Sequence, residues 1–453
     1  YLKKSIDYYN NINSSIMIRN ISTEVSIFIN HVLIPVYSMI TEFLVLIGII
    51  ILILFVEFKI GIYILIISVF TILILRSIFQ KKLNKWGLER QKFSASSLQK
   101  INDLFFLNKE IKILKKEKYF NDNLYINLFK LGKTQFYKRI VHPLPRLVGE
   151  ILAVISFCIL IFTLLKDQKS TTEIITILAL FAACAFRLIP SFNRLAEFYN
   201  IYKFALPSYN VITEEIVPNK YNLDEILSKN SSTQKFKNIE IKNLNFKYDN
   251  KIILNKLNLK VEKNDMIGIV GKSGSGKTTL VNILLGFHKI KEEIYYNDTR
   301  VDDIRTWLTN VGYVAQDTYL LDASIKENIA FGIKKDEIDL RKIEEVINSS
   351  QLSEMINDLE NGIDTIIGEN GVRLSGGQKQ RLGIARALYF DPEVMIFDEV
   401  TSSLDLQTEN EFLNSILKFK KQKTLIIVTH RPSLLRACNK IYKLAEGKLS
   451  IDK

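Results

Sequence analysis

At 453 residues and a net charge of +13, the chain exceeds one ordinary domain. Its apolar share of 47% averages a very apolar first half with a charged second half, so a single soluble domain is excluded. The basic excess gathers beside the long apolar runs, where a cytoplasmic membrane face needs it, and this sets nucleic acid aside as a partner.

The chain opens on Tyr1 and a polar stretch with no signal peptide, and we expect the protein to begin upstream. Cys158, Cys184 and Cys438 show no paired or metal-type spacing and read as reduced packing residues. A mostly apolar run covers residues 26–58, and a second, IGIYILIISVFTILIL, follows Lys59 and ends at Arg76. A hydrocarbon core of about 30 Å takes about 20 helical residues, and a helix satisfies its own backbone in lipid. The short link Glu57-Phe58-Lys59 makes the two runs a hairpin.

Between residues 80 and 141 the chain is rich in Lys and Arg, including Lys81, Lys82, Lys115 and Arg139, which places it in the cytoplasm. Leu104, Phe105, Leu107, Ile111 and Leu114 recur there near helical spacing. They predict helices that continue out of the membrane as a lever; an independent soluble helical insert is the alternative. Apolar runs at 151–165 and 174–186 flank a polar link at 166–170 and form a second hairpin. Both hairpin tips then face outward, and the chain re-enters the cytoplasm after about Ile201.

Residues 215–236 turn polar, with Pro218, Asn219, Ser231 and Ser232, and read as a linker between a membrane domain at 1–214 and a second domain at 237–453. Beyond it the apolar runs shorten to strand length, as in MIGIV, VMIF and TLIIV, and alternate with helical segments. That alternation predicts a parallel α/β sheet. The fold class is therefore an all-α transmembrane domain followed by an α/β domain, and the P-loop pattern at residues 271–278 makes the latter a nucleotide-binding domain.

Gly271-Lys272-Ser273-Gly274-Ser275-Gly276-Lys277-Thr278, followed by Thr279, lies after the strand MIGIV and opens a helix. The glycines let backbone N–H groups face phosphates, the helix N-terminus adds positive potential, Lys277 reaches the outer phosphates, and the Thr278 hydroxyl is placed for Mg²⁺. Farther on, the run 394–397 carries Asp398, placed to hold Mg²⁺ chiefly through water, and Glu399, suited to polarise an attacking water. Alone, two acids after a strand would read as a solvated turn.

Leu374-Ser375-Gly376-Gly377-Gln378 resembles the signature of the ATP-binding-cassette family, and with the P-loop the match is specific. The resemblance implies ATP and Mg²⁺ as ligands and a second copy of the chain as partner, with Ser375, Gly376, Gly377 and Gln378 covering the γ-phosphate held by the opposite subunit. It further implies Tyr248 for stacking adenine, Gln316 as a magnesium sensor, Asp405 in the loop after the acidic pair, and His430 as the switch histidine. Residues 365–371, TIIGENG, are similar to an exporter segment that meets coupling helices, expected near 104–114 and near the N-terminus. The catalytic set it implies is Glu399, His430, Gln316 and Lys277, with both sites of a homodimer active.

Residues 1–205 resemble the last four of six helices of type IV exporters, multi-pass proteins of the bacterial cytoplasmic membrane. Within them, Pro145-Arg146 with Gly149, and residues 185–194, resemble the PglK-type flippases of lipid-linked oligosaccharides. Arg187 follows roughly a dozen apolar residues, and Arg194 lies two turns along the same face. A cation inside a span needs water, a partner or an anion. The resemblance implies that Arg146, Arg187 and Arg194 meet a polyprenyl-linked pyrophosphate; the alternative is that they mark the cytoplasmic ends of their helices. A general lipid or multidrug exporter is the rival function. A soluble cassette protein acting in translation or DNA repair is disfavoured by the four apolar runs.

Overall fold

The computed structural model describes residues 1–453 except 3, 5, 57, 142, 145–146, 148–149, 152–153, 156, 160, 163–170, 217–234, 249–250, 289, 291–292, 401–412, 415, 418, 421 and 452–453. The described chain divides into two compact units, residues 1–4 with 8–220 and residues 5–7 with 221–453.

The first unit is helical. After a short helix α1 (Ile6–Asn11), the Asn13 side chain accepts from the Ser15 N–H at 2.9 Å and starts α2 (Ser14–Arg19). Helices α2, α3 (Val25–Phe28) and α4 (Ile34–Val56) run on through π turns at Asn20–Glu24 and Ile29–Leu33. Among the described residues, Ser14–Phe55 is the stretch long and apolar enough to cross a membrane.

Helix α5 (Phe58–Phe106) has 49 residues, about 74 Å at the α-helical rise. The second apolar run fills its first half, and the Lys-rich segment continues the same rod, a helix leading out of the apolar run as expected, although the periodic residues 104–114 straddle its end. At Leu107 the backbone leaves helical geometry, and a short α6 (Asn108–Ile113) turns the chain into α7 (Glu117–Val141). Ile111 is buried while Phe105, Phe106, Ile113 and Leu114 are exposed at this tip. The expected link at 166–170 lies outside the described residues.

Helix α8 (Thr171–Ile216) has 46 residues, about 69 Å, and passes through Pro190 and Pro207. It also runs two residues into the segment read as linker. Leu46 and Ile53 of α4 meet Ile177 and Leu188 of α8 in one apolar seam. Beyond that seam the Glu24 carboxylate, fully buried, accepts from Arg90 at 2.8 and 3.1 Å, from Gln91 at 3.0 Å and from Ser208 at 2.5 Å.

The second unit contains two sheets. Strands β3 (Met266–Val270), β6 (Val311–Val314), β7 (Val394–Asp398), β8 (Thr424–Val428), β9 (Lys440–Ala445) and β10 (Lys448–Ile451) form the order β10-β9-β3-β8-β7-β6, parallel except for the β9–β10 hairpin. Residues alternate between its faces: Ile267, Ile269, Ile396 and Val428 pack on one side, and Met266, Met395, Phe397 and Ile427 on the other. This is the expected parallel sheet.

An antiparallel sheet of β1 (Asn238–Tyr248), β2 (Lys251–Glu262), β4 (Glu293–Tyr296) and β5 (Thr299–Val301) adds a layer that the apolar runs do not announce. Its strands bury alternate residues, Ile239, Ile241, Leu257, Leu259 and Val261, under the parallel sheet and show Lys and Asn outside. The neighbouring strands β3, β8 and β7 all end at one edge, which is where ligands enter open α/β sheets.

Candidate nucleotide site

Residues 271–276 form a loop between β3 and helix α9 (Lys277–Leu284). Its bends need glycine twice. Gly276 sits at φ 106°, left-handed territory that side chains resist, and a Cβ on Gly271 would land 2.5 Å from the Leu444 carbonyl oxygen. Lys277, 6% exposed, turns its ammonium back to donate to the carbonyls of Gly271 at 2.8 Å and Lys272 at 3.3 Å. The charge is thus held over the mouth of the loop. The Ser275 hydroxyl is buried with no hydrogen-bond partner, a donor aimed where an anion would satisfy it. Ser273, Gly274 and Thr278 are exposed, and Thr279 is buried in the first turn of α9.

Two strands away, β7 delivers Asp398 at its last position, 7% exposed, and Glu399 just beyond. Glu399 adopts φ 49°, and its N–H donates to the Val428 carbonyl at 2.9 Å, which fixes the turn against β8. From there its carboxylate lies 3.5 Å from the Lys277 ammonium and 3.9 Å from the His430 ring nitrogen. The structure therefore brings together Lys277, Glu399 and His430, which the sequence scatters over more than a hundred positions.

Burial, reinforced by the Glu399 charge, pushes the Asp398 carboxyl up, and Lys277 opposes the shift. The two adjacent carboxylates, Asp398 and Glu399, are oxygen donors whose mutual repulsion a divalent cation would relieve. Tyr313, on β6, hydrogen-bonds the Asp398 carboxylate, and burial followed by that negative charge pushes its phenol up to about 12. Tyr313 is absent from the residues singled out in the sequence; its signal was its register, since it pairs with Ile396, two residues below Asp398 on the same sheet face. Gln316 is exposed just past the end of β6.

Tyr248 ends β1, and its hydroxyl lies 2.9 Å from Nε2 of the buried His288, with Phe246 edge-on at 5.0 Å. The ring expected to stack adenine is therefore held in place by a histidine that the sequence reading passed over. Asp405 and Arg146 lie outside the described residues.

The signature opens helix α10, counting α10 as Gly376–Tyr389. Ser375 caps it reciprocally: its N–H donates to Gln378 Oε1 at 2.8 Å, and the Gln378 N–H donates to Ser375 Oγ at 3.3 Å. Gly377 is buried, whereas a Cβ on Gly376 would meet open space. Among the described residues, no hydrogen bond or ion pair joins Ser375, Gly376, Gly377 or Gln378 to the P-loop. In the first unit Arg187 is exposed, and Arg194 is paired with Glu42 at 2.5 Å.

Residues 254–402 match the family model for the ABC transporter domain. The chain is 40% identical over 220 residues to the alpha-hemolysin translocation ATP-binding protein HlyB of Escherichia coli O157:H7, covering 47% of this chain and 31% of that protein. It is 39% identical over 219 residues to the ATP-dependent lipid A-core flippase of Coxiella burnetii (strain RSA 493 / Nine Mile phase I), covering 47% of this chain and 36% of that protein. The chain thus spans about a third of the length of these relatives. A bacterial Atm1-family ABC exporter, solved with ATP bound, superimposes with a TM-score of 0.86 at 19% identity, over 99% of this chain and 79% of that one. The fold is that of the solved exporter: a helical domain followed by an α/β domain, within which the ABC transporter model matches.

Proposed function

We propose that this chain is an ATP-hydrolysing exporter subunit in the bacterial cytoplasmic membrane, which pairs with a second copy and moves a polyprenyl-pyrophosphate glycan outward. Residues 1–214 form its multi-pass membrane domain, 215–236 its linker and 237–453 its cytoplasmic cassette.

The observation that carries the hydrolytic reading is the Glu399 carboxylate standing between Lys277 at 3.5 Å and His430 at 3.9 Å. Lys277 exchanges its loop carbonyls for the outer phosphates of ATP, and the orphan Ser275 hydroxyl gains an acceptor there. Glu399 takes a proton from the attacking water, and His430 orients the γ-phosphate end of the site. Thr278, Asp398 and Gln316 would hold Mg²⁺, which when bound neutralises phosphate charge. Tyr248, braced by His288, stacks on adenine. The Ser375 turn, which has no partner in its own P-loop, covers the phosphates of the second copy, a role that Asp405 shares by resemblance alone.

Substituting Glu399→Gln is expected to leave ATP binding intact and to lower hydrolysis by about a hundredfold or more, trapping a closed dimer. Wild-type turnover by that variant would reject Glu399 as the base.

For the cargo, Arg187 and Arg194 on one face of α8 support an anionic headgroup, with Arg146 joining them by resemblance. The likeness to a lipid A-core flippase favours a second reading, a general lipid or multidrug exporter. Translocation of a polyprenyl-diphosphate glycan in proteoliposomes separates the two. The first requires that Arg187→Gln with Arg194→Gln abolish it; transport by the doubly neutral variant would leave the second.

A further inference from the structure

Arg194 is not waiting with an empty guanidinium. Its Nε lies 2.5 Å from Glu42 Oε1 on α4, and its Nη2 donates toward the fully buried Ser191 hydroxyl at 3.4 Å. Glu42 stands one helical turn before Leu46 and Ser191 one turn after Leu188, so the pair closes one end of the apolar seam between α4 and α8. Measured from the outward hairpin ends at 1.5 Å per residue, Glu42 lies about 21 Å below Val56 and Arg194 about 35 Å below Thr171. Both therefore fall in the cytoplasmic half of a hydrocarbon layer about 30 Å thick or at its inner border. Arg187, about 24 Å down α8, lies inside the layer, two turns from Arg194 on the same helix.

The pair is built asymmetrically. The Glu42 side chain is 14% exposed and that of Arg194 37%, so the carboxylate backs the guanidinium and leaves its outer edge open to an approaching group. The second carboxylate oxygen, Oε2, is buried without a hydrogen-bond partner. A carboxylate at membrane depth is costly unless it answers a cation, and here it answers Arg194 with one oxygen while Arg187 stands nearby.

We infer that Glu42 is an internal counter-anion that occupies Arg194 until the oxyanion headgroup of an amphiphilic substrate displaces it. The inference rests on the reading of Arg187 and Arg194 as substrate-facing. A phosphate or diphosphate group carries more negative charge and more acceptor oxygens than one carboxylate, and, not being fixed to α4, it can seat itself against both guanidiniums. A neutral headgroup has no charge to exchange and leaves Glu42 in place. Glu42 thereby sets specificity, raising the threshold that an anion must pass.

The test titrates the full-length protein in lipid nanodiscs, without nucleotide, with polyprenyl diphosphate, with neutral polyprenol and with inorganic pyrophosphate, reading dissociation constants. Glu42→Gln is expected to tighten polyprenyl diphosphate about fivefold, the worth of a partly exposed ion pair, with polyprenol unaffected. Arg194→Gln should weaken the diphosphate, and the double variant should bind as Arg194→Gln does. Tightening of inorganic pyrophosphate as well would assign the exchange to the anion itself; tightening confined to the lipid would assign it to a headgroup delivered through the membrane. Should Glu42→Gln not fold, Glu42→Asp, which withdraws the charge by one methylene, is expected to tighten binding by a smaller factor. Unchanged or weaker binding in folded variants overturns the inference. If wild type binds and Arg194→Gln weakens it while Glu42→Gln does nothing, the counter-anion fails and the substrate reading stands; if no variant binds, both fail.

Discussion

Glu399 combines two features that rarely coincide in a side chain kept for structure alone. It holds a left-handed backbone, costing about 1–2 kcal/mol for a residue with a Cβ, and it faces an ammonium and an imidazole. Beside it, Asp398 shows what the site gives up in stability. Its carboxyl is pushed up by burial and by Glu399, so the folded pKa lies above the unfolded 3.8. A raised carboxyl favours folding below the unfolded value, and that contribution is lost as pH rises through the folded one. At neutral pH the folded protein therefore carries an ionised, poorly solvated Asp398. Asp398→Asn is expected to raise the melting temperature of the nucleotide-free protein at pH 7–8 and to leave it nearly unchanged below the unfolded pKa. The same variant should lose the extra thermal stabilisation that Mg²⁺ adds to ATP. A lower melting temperature at pH 7 would show that the carboxylate is already compensated.

Among the elements, short helices depend most on their caps. Helix α9 is followed in the chain by a helix of five residues, Ile325–Ile329, opened by a capping box in which Ser324 and Glu327 bond reciprocally. Bonds from Ser324 and then Lys335 hold the Glu327 carboxyl down at about 2, below its ordinary 4.5. A depressed carboxyl stabilises the fold above the unfolded value and loses that contribution as pH falls through the folded one, here between about 4.5 and about 2. Ser324→Ala should cost about 1 kcal/mol near neutrality and flatten the acid limb of stability within that window, as read by denaturant melts. Identical acid limbs would remove the cap from the account.

What the sequence disclosed follows the same element-level logic. Runs such as MIGIV and VMIF are apolar on both faces because helices and a second sheet cover them, so their strands and the motifs at their ends were legible. Strand β1, NIEIKNLNFKY, alternates buried Ile239 and Ile241 with Glu240 and Lys242, and reads as mixed polarity unless period two is sought. Pairings such as Arg90 with Glu24, 66 positions apart, leave no local pattern. Arg194 was legible as an intramembrane cation, but its partner Glu42 was not.

On the scale of the whole molecule, rods of about 70 Å can carry a motion only if they move as a group. In the helical unit the Glu24 carboxylate ties the segment after α2 to α5 through Arg90 and Gln91 and to α8 through Ser208. Arg19 adds a second guanidinium 3.6 Å away, which also donates to the Gln91 carbonyl at 3.0 Å. A buried carboxylate so surrounded is a poor source of net stability, yet removing it strands two buried guanidiniums. Glu24→Ala is accordingly expected to destabilise the detergent-solubilised protein by about 3–5 kcal/mol. Glu24→Leu with Arg90→Leu should recover part of that loss, because Arg19 is then the one buried guanidinium left without the carboxylate. The doubly apolar variant is the informative one for coupling. It keeps the packing of the three helices and removes the hydrogen bonds that index one against another, so ATP turnover should persist while transport per ATP falls. If transport per ATP is unchanged in that variant, the helices are indexed by apolar packing, and the polar hub is a remnant of folding specificity.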